Sequence, residues 1–246
     1  MAQSHALAMA LAFAAMFAIA TAQPFMFEAG KFQTGVQEAA ARREDNYSGF
    51  VFNFNDAKPS AADDTPNGNL ILNQVATNPF LSTLPGDGNG QTLITLGPCS
   101  GNTPHSHPRG SEISFMLYGS IEFGMVEENS GQNRLVIANI TQNETIHIPT
   151  GIMHFSFNYQ CEPAAFLANF ATKDPGTQTT WNSLMRIPTH ILNSATTIPE
   201  RLINGLKQFP QVTAPGTGGE ECLRRCNINQ QTANKLTPLN ATELLP

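Results

Sequence analysis

From Gln91 to Thr172, apolar and polar residues alternate in short runs broken by glycine, proline and asparagine. "QTLITLG" is one such run. "EISFMLYGSIEFGMVEE" reads as two strands bent at Gly119, with Ile113, Phe115 and Leu117, then Ile121, Phe123 and Met125, keeping a period of two. "NRLVIANIT", "ETIHIPT", "HFSFNYQ" and "AAFLANFAT" continue the pattern. Short strands in such close succession predict a sandwich or barrel, so the fold class is all-β.

The flanks differ in texture. Phe25 to about Gly90 is irregular, with one helical piece at "GVQEAAARRE", an aromatic-rich "SGFVFNFND" and a loop by composition over Ala57–Asn69. After Asp174-Pro-Gly176 the pattern turns helical. "TQTTWNSLM" is one candidate helix and "TTIPERLINGLKQ" a second. In the second, Thr197 and Glu200 suit a capping box, Pro199 the first turn, and Ile198, Leu202, Ile203 and Leu206 an apolar stripe. "GGEECLRRCNI" offers a last helical turn carrying two cysteines.

Charge narrows the classes of partner. The 246 residues carry 13 Lys+Arg against 19 Asp+Glu, a formal net charge of −6, and no basic cluster. Neither nucleic acid nor an anionic membrane is therefore an expected partner. The apolar run Ala6–Ala20 ends in a small-x-small pattern at Ala20-Thr21-Ala22, which reads as a signal peptide over residues 1–22. The expected mature chain is a secreted single domain over 23–246, with a barrel core over about 70–175 and a helical extension over about 176–230. Four sequons, at Asn46, Asn139, Asn143 and Asn240, agree with export. So do four cysteines, Cys99, Cys161, Cys222 and Cys226, enough for two disulfides and without the paired C-x-x-C form of a zinc site.

One stretch carries chemistry. In "TPHSHPRGSEISFMLYG", His105 and His107 project to one side of an extended chain, and Glu112 can swing in from the loop or the next strand. His154, after the turn Pro149-Thr-Gly151, is a fourth candidate. Three neutral imidazoles and a carboxylate suit Mn(II) or Fe(II) in an octahedron with two open positions, and Zn(II) or Cu(II) could also occupy such a set. His147 lies in a strand outside this pattern and reads as a surface or packing residue; His190 has no partner pattern.

The spacing His-x-His-x4-Glu-x6-Gly over His105–Gly119, followed by Pro-x-Gly-x2-His-x3-Asn over Pro149–Asn158, matches the two signature motifs of the cupin superfamily. Together with "KDPG", these segments resemble germin-like proteins, and on Cys99, "CEPAAF" and "ECLRRC" the spherulin-type members of slime moulds and fungi. The resemblance implies a cupin β-jelly-roll barrel with a C-terminal helical extension. It implies Mn held by His105, His107, Glu112 and His154, secretion to the cell exterior or wall, and a homo-oligomer. Departures are visible. Cys99 and Asn143 stand where the motifs carry Gly, and the N-terminal disulfide of plant germins is missing. Of two asparagines near the metal in oxalate-oxidising members, Asn102 matches one, while Thr92 stands at the other. In this fold a Cys99–Cys161 bridge fits the strand register, while Cys222 and Cys226 could bridge each other or pin the last helix to Cys99 and Cys161. Two functions follow: a Mn-binding protein of a cell wall or dormant stage, or a Mn-dependent oxidoreductase acting on superoxide or oxalate, with Asn102 hydrogen-bonding beside the metal and small oxygen species or a small carboxylate as ligand.

Overall fold

A computed structural model describes residues 51–60, 64–83, 86, 88–208 and 215–229. Phe52 onward forms one compact unit, and Val51 belongs to the unit before it. The leader, the helix expected at 35–44, and Asn46 and Asn240 lie outside the described residues.

The alternating runs become strands. β1 (Asp64–Thr65), β2 (Gly68–Asn73), β3 (Gly90–Leu96), β4 (Ser100–Ser106), β5 (Glu112–Tyr118) and β6 (Ser120–Val126) come first. β7 (Leu135–Thr141), β8 (Thr145–Ile148), β9 (Met153–Asn158), β10 (Ala164–Phe170), β11 (Gln178–Thr179) and β12 (Gly216–Thr217) follow. They form two sheets, ordered β1-β2-β3-β10-β5-β8 and β11-β4-β9-β6-β7, with β12 pairing β4. Their inner faces meet around Ile94, Leu96, Met116, Ile121, Phe123 and Phe166, a double-sheet jelly roll as expected.

The two arms of the Gly119 bend differ in which face they bury. In β6 the apolar set Ile121 and Phe123 points inward. In β5 the inward face is Glu112, Ser114 and Met116, while Ile113 is 42% exposed. Phe115 and Leu117 lie only half-buried. Leu117 is covered from outside by a second cluster built on Ile71 and Leu93 with Phe52, Phe54 and Ala57. This sheet is thus apolar on both faces, and the aromatic-rich segment supplies the outer cover. The composition-based loop over 57–69 also ends in structure: Pro66-Asn67 turn the β1–β2 hairpin, and β2 pairs along β3.

Among the described residues four helices follow the barrel: α1 (Thr180–Arg186), α2 (Thr189–Thr196), α3 (Glu200–Leu206) and α4 (Glu220–Arg225). The expected capping box does not form. Thr197 closes α2 in the left-handed region at φ 61°, its N–H donating to Asn193 O, and Pro199 takes the N-cap of α3. Ile203 is buried, whereas Ile198 and Leu202 of the expected stripe are 38% and 52% exposed.

The disulfides are Cys99–Cys222 and Cys161–Cys226, so α4 is pinned to the barrel and the Cys99–Cys161 alternative does not hold. The register behind that alternative is nearly right, since Cys99 N donates to Gln160 O at 3.2 Å. One step of register reverses the face, however. Cys99 is fully buried and Cys161 exposed, so their sulfurs diverge toward different cysteines of the α4 region.

Candidate metal centre

β4 and β9 lie side by side with His105 opposite His154, after a register shift between Asn102 and His105. His107 follows the end of β4, and Glu112 opens β5 on the facing sheet. All four side chains point into the barrel, at 6%, 6%, 4% and 2% exposure for His105, His107, Glu112 and His154. The three imidazoles offer ring nitrogens that all lie within 4.8 Å of one another. Glu112 Oε2 stands 3.3 Å from His107 Nε2 and 3.3 Å from His154 Nε2. At metal–ligand distances of about 2.1 Å, neighbouring donors around one ion are separated by roughly 3.0–3.4 Å, in octahedral or tetrahedral geometry alike. The spacing fits a shared cation.

The backbone orients each ring. Nδ1 of His105 meets Thr103 O at 2.6 Å, Nδ1 of His154 meets Ile152 O at 2.9 Å, and Nδ1 of His107 meets Gly176 O. A carbonyl can only accept, so each Nδ1 carries the proton and each Nε2 presents a lone pair to the centre. His154 Nε2 has no hydrogen-bond partner although it is buried. A lone pair facing a carboxylate oxygen at that distance calls for a cation between them, and this donor set supplies the ligands for one. Glu112 is held in turn by Ser114, whose Oγ donates to Oε1 at 2.6 Å.

Electrostatics agree. Burial, then the proximity of His154 and His107, pushes the His105 pKa down from 6.5 to about 3, so its ring stays neutral and able to ligate. Burial alone would raise the Glu112 pKa. The closeness of the His107 and His154 rings outweighs that and holds the carboxyl well below the ordinary carboxylate range.

The site opens into a cavity of about 440 Å³, lined by all four side chains and by Asn102, the residue expected beside a metal. Thr92 lines it too, its hydroxyl accepting from Gln74 Nε2 at 2.9 Å, so an amide group stands next to Thr92. His147 and His190 are exposed and away from the cavity lining, in keeping with their exclusion. Sequence reasoning passed over Ser114 and Ser156, although strand alternation puts them on the faces of Glu112 and His154. It also passed over the carbonyls of Thr103, Ile152 and Gly176, which no side-chain pattern marks. Gly176 belongs to the "KDPG" turn, where Arg109 grips Asp174 through Nε to O at 2.9 Å and Nη2 to Oδ1 at 2.7 Å.

The cupin family model matches residues 52–202, well over half of the chain. The chain belongs to the cupin family. Within it, the protein is a germin-like cupin. It is similar to Spherulin-1A of Physarum polycephalum, with 31% identity over 182 residues, covering 73% of this chain and 71% of that one. It is also similar to an oxalate oxidase of Triticum aestivum, 32% identical over 148 residues, covering 58% and 65% of the two chains. Among solved structures, oxalate oxidase in complex with the substrate analogue glycolate superposes with a TM-score of 0.56 at 29% identity, covering 64% of this chain and 79% of that one. The cupin barrel is thus shared ground. Among the described residues no helix is long and apolar enough to cross a membrane.

Proposed function

We propose that this germin-like cupin is a secreted manganese-binding protein of a cell wall or dormant stage, its ion held by His105, His107, Glu112 and His154. The observation that carries the reading is the convergence of three carbonyl-oriented imidazoles and one carboxylate on a buried point where His154 Nε2 lacks a partner. The two disulfides support export, because such bonds persist in oxidising compartments. The signal-like N-terminus supports it too.

A second reading, a Mn-dependent oxidoreductase of the oxalate oxidase or superoxide dismutase type, is favoured by the similarity to oxalate oxidases and by the cavity over the four side chains. Bound there, manganese would supply redox and Lewis-acid chemistry with positions left for a small oxygen species or carboxylate. The protein's own part is defined by its residues. Glu112 contributes the negative charge, Ser114 orients it, and Asn102 offers an amide beside the cavity.

Elemental analysis of the secreted protein tests both readings. Stoichiometric manganese is expected in the native protein and none in a His105→Ala/His154→Ala double variant. Full retention in the variant would sink the site assignment. Oxalate and superoxide assays on the same sample separate the two functions: full metal with no turnover in either favours the structural role.

A further inference from the structure

Resting on the metal-site reading, we propose that the cavity takes a monocarboxylate with an apolar body, longer than oxalate. Volume is the first observation. About 440 Å³ falls in the range, roughly 300–1,000 Å³, of pockets that enclose whole small organic molecules. A two-carbon acid coordinated to an ion would leave most of it empty.

The lining is the second. Beyond the four side chains the wall carries an apolar set, Leu70, Leu72, Ile94, Phe123 and Phe166, beside uncharged polar residues such as Gln74, Thr92 and Asn182. Among the described lining residues none is Lys or Arg. An ion at the four-residue site can balance one carboxylate head. A second carboxylate would meet only neutral groups and the negative Glu112, with no side-chain cation to pair with, which disfavours a dianion. A hydrocarbon body placed there gains affinity with each carbon it buries.

The third is Ser156. It is 3% exposed, lines the cavity, and its Oγ is buried with no hydrogen-bond partner. An unpaired buried hydroxyl is costly, and a carboxylate oxygen in the cavity would accept a hydrogen bond from it. The wall therefore combines an unpaired hydroxyl, two residues along β9 from His154, with an apolar chamber for the tail.

Isothermal titration of the manganese-loaded protein with acetate, butyrate and hexanoate tests this, with oxalate as a parallel titrant. Affinity is expected to rise by about fourfold per methylene along the series. Leu72→Gln should cut the gain between butyrate and hexanoate while leaving manganese content unchanged. Ser156→Ala should weaken all three acids by a similar factor and keep the slope. A flat or falling series, with oxalate bound and manganese present, overturns the proposal and leaves the metal site standing. An undiminished slope in the Leu72→Gln protein also overturns it. Absence of stoichiometric manganese overturns both readings.

Discussion

His105 links protonation to folding. Its pKa drops from 6.5 to about 3 in the folded site, first through burial and then through His154 and His107. The unfolded chain takes up a proton below about pH 6.5 that the folded chain refuses, so stability falls as pH falls through that range. Glu112 has a depressed folded-state pKa, so its contribution is present above the ordinary 4.5 and is lost only in stronger acid. The urea midpoint of the metal-free protein is therefore expected to decrease from pH 7 to pH 4, and a His105→Phe variant should decrease less. A midpoint independent of pH over that interval would contradict this assignment. Asn158, fully buried at the end of the second motif, has a purely structural task. Its Nδ2 donates to Gly97 O at 2.9 Å and Glu162 O at 2.8 Å, and its Oδ1 accepts from Gln160 N at 2.9 Å. Asn158→Ala should lower unfolding free energy by about 2–4 kcal/mol, measured by denaturant titration. Asn158→Asp should not restore it, because a carboxylate cannot donate to carbonyls.

At the scale of elements, the β5–β6 hairpin shows what periodicity can and cannot tell. The bend at Gly119 was legible, and the backbone there is left-handed at φ 79°. A Cβ at this position would lie 2.9 Å from Ala164 Cβ and 3.1 Å from Pro163 O. Gly119→Ala is expected to cost about 1–3 kcal/mol, read as a lowered denaturation midpoint with metal content retained. The buried face of β5 was not legible, because an apolar set on alternate positions usually marks the core side. Here Glu112, Ser114 and Met116 take that side, and residues far away in sequence cover the other. Ser114 gains its role from this choice. Ser114→Ala should leave the fold intact and weaken manganese binding by about 10–100-fold in a competition titration with a chelator. The missing capping box has a similar origin: Thr197 suits an N-cap locally, but the preceding helix claims it first as a left-handed C-cap.

At the scale of the whole molecule, the disulfides and the ligand set are independent devices. Cys99–Cys222 and Cys161–Cys226 tie α4 to the barrel across sequence separations of 123 and 65. Loops of that length restrict the unfolded chain, at about 2–5 kcal/mol per native bridge. A Cys222→Ala/Cys226→Ala variant should lose thermal stability yet retain manganese, because the four proposed ligands all sit on or beside β4, β5 and β9. Loss of the metal with the fold intact would contradict that separation. The sequence by itself determined the all-β barrel and the four candidate ligands. Strand alternation and motif spacing are local properties, written in the order of residues. Only the tertiary structure decided which cysteines pair, which face of β5 turns inward, and which carbonyls orient the imidazoles. Those outcomes depend on one residue of register and on backbone groups that every residue carries. For "TPHSHPRGSE", local order names the arms, and the carbonyls of Thr103 and Gly176 with the Ser114 hydroxyl set how each is aimed.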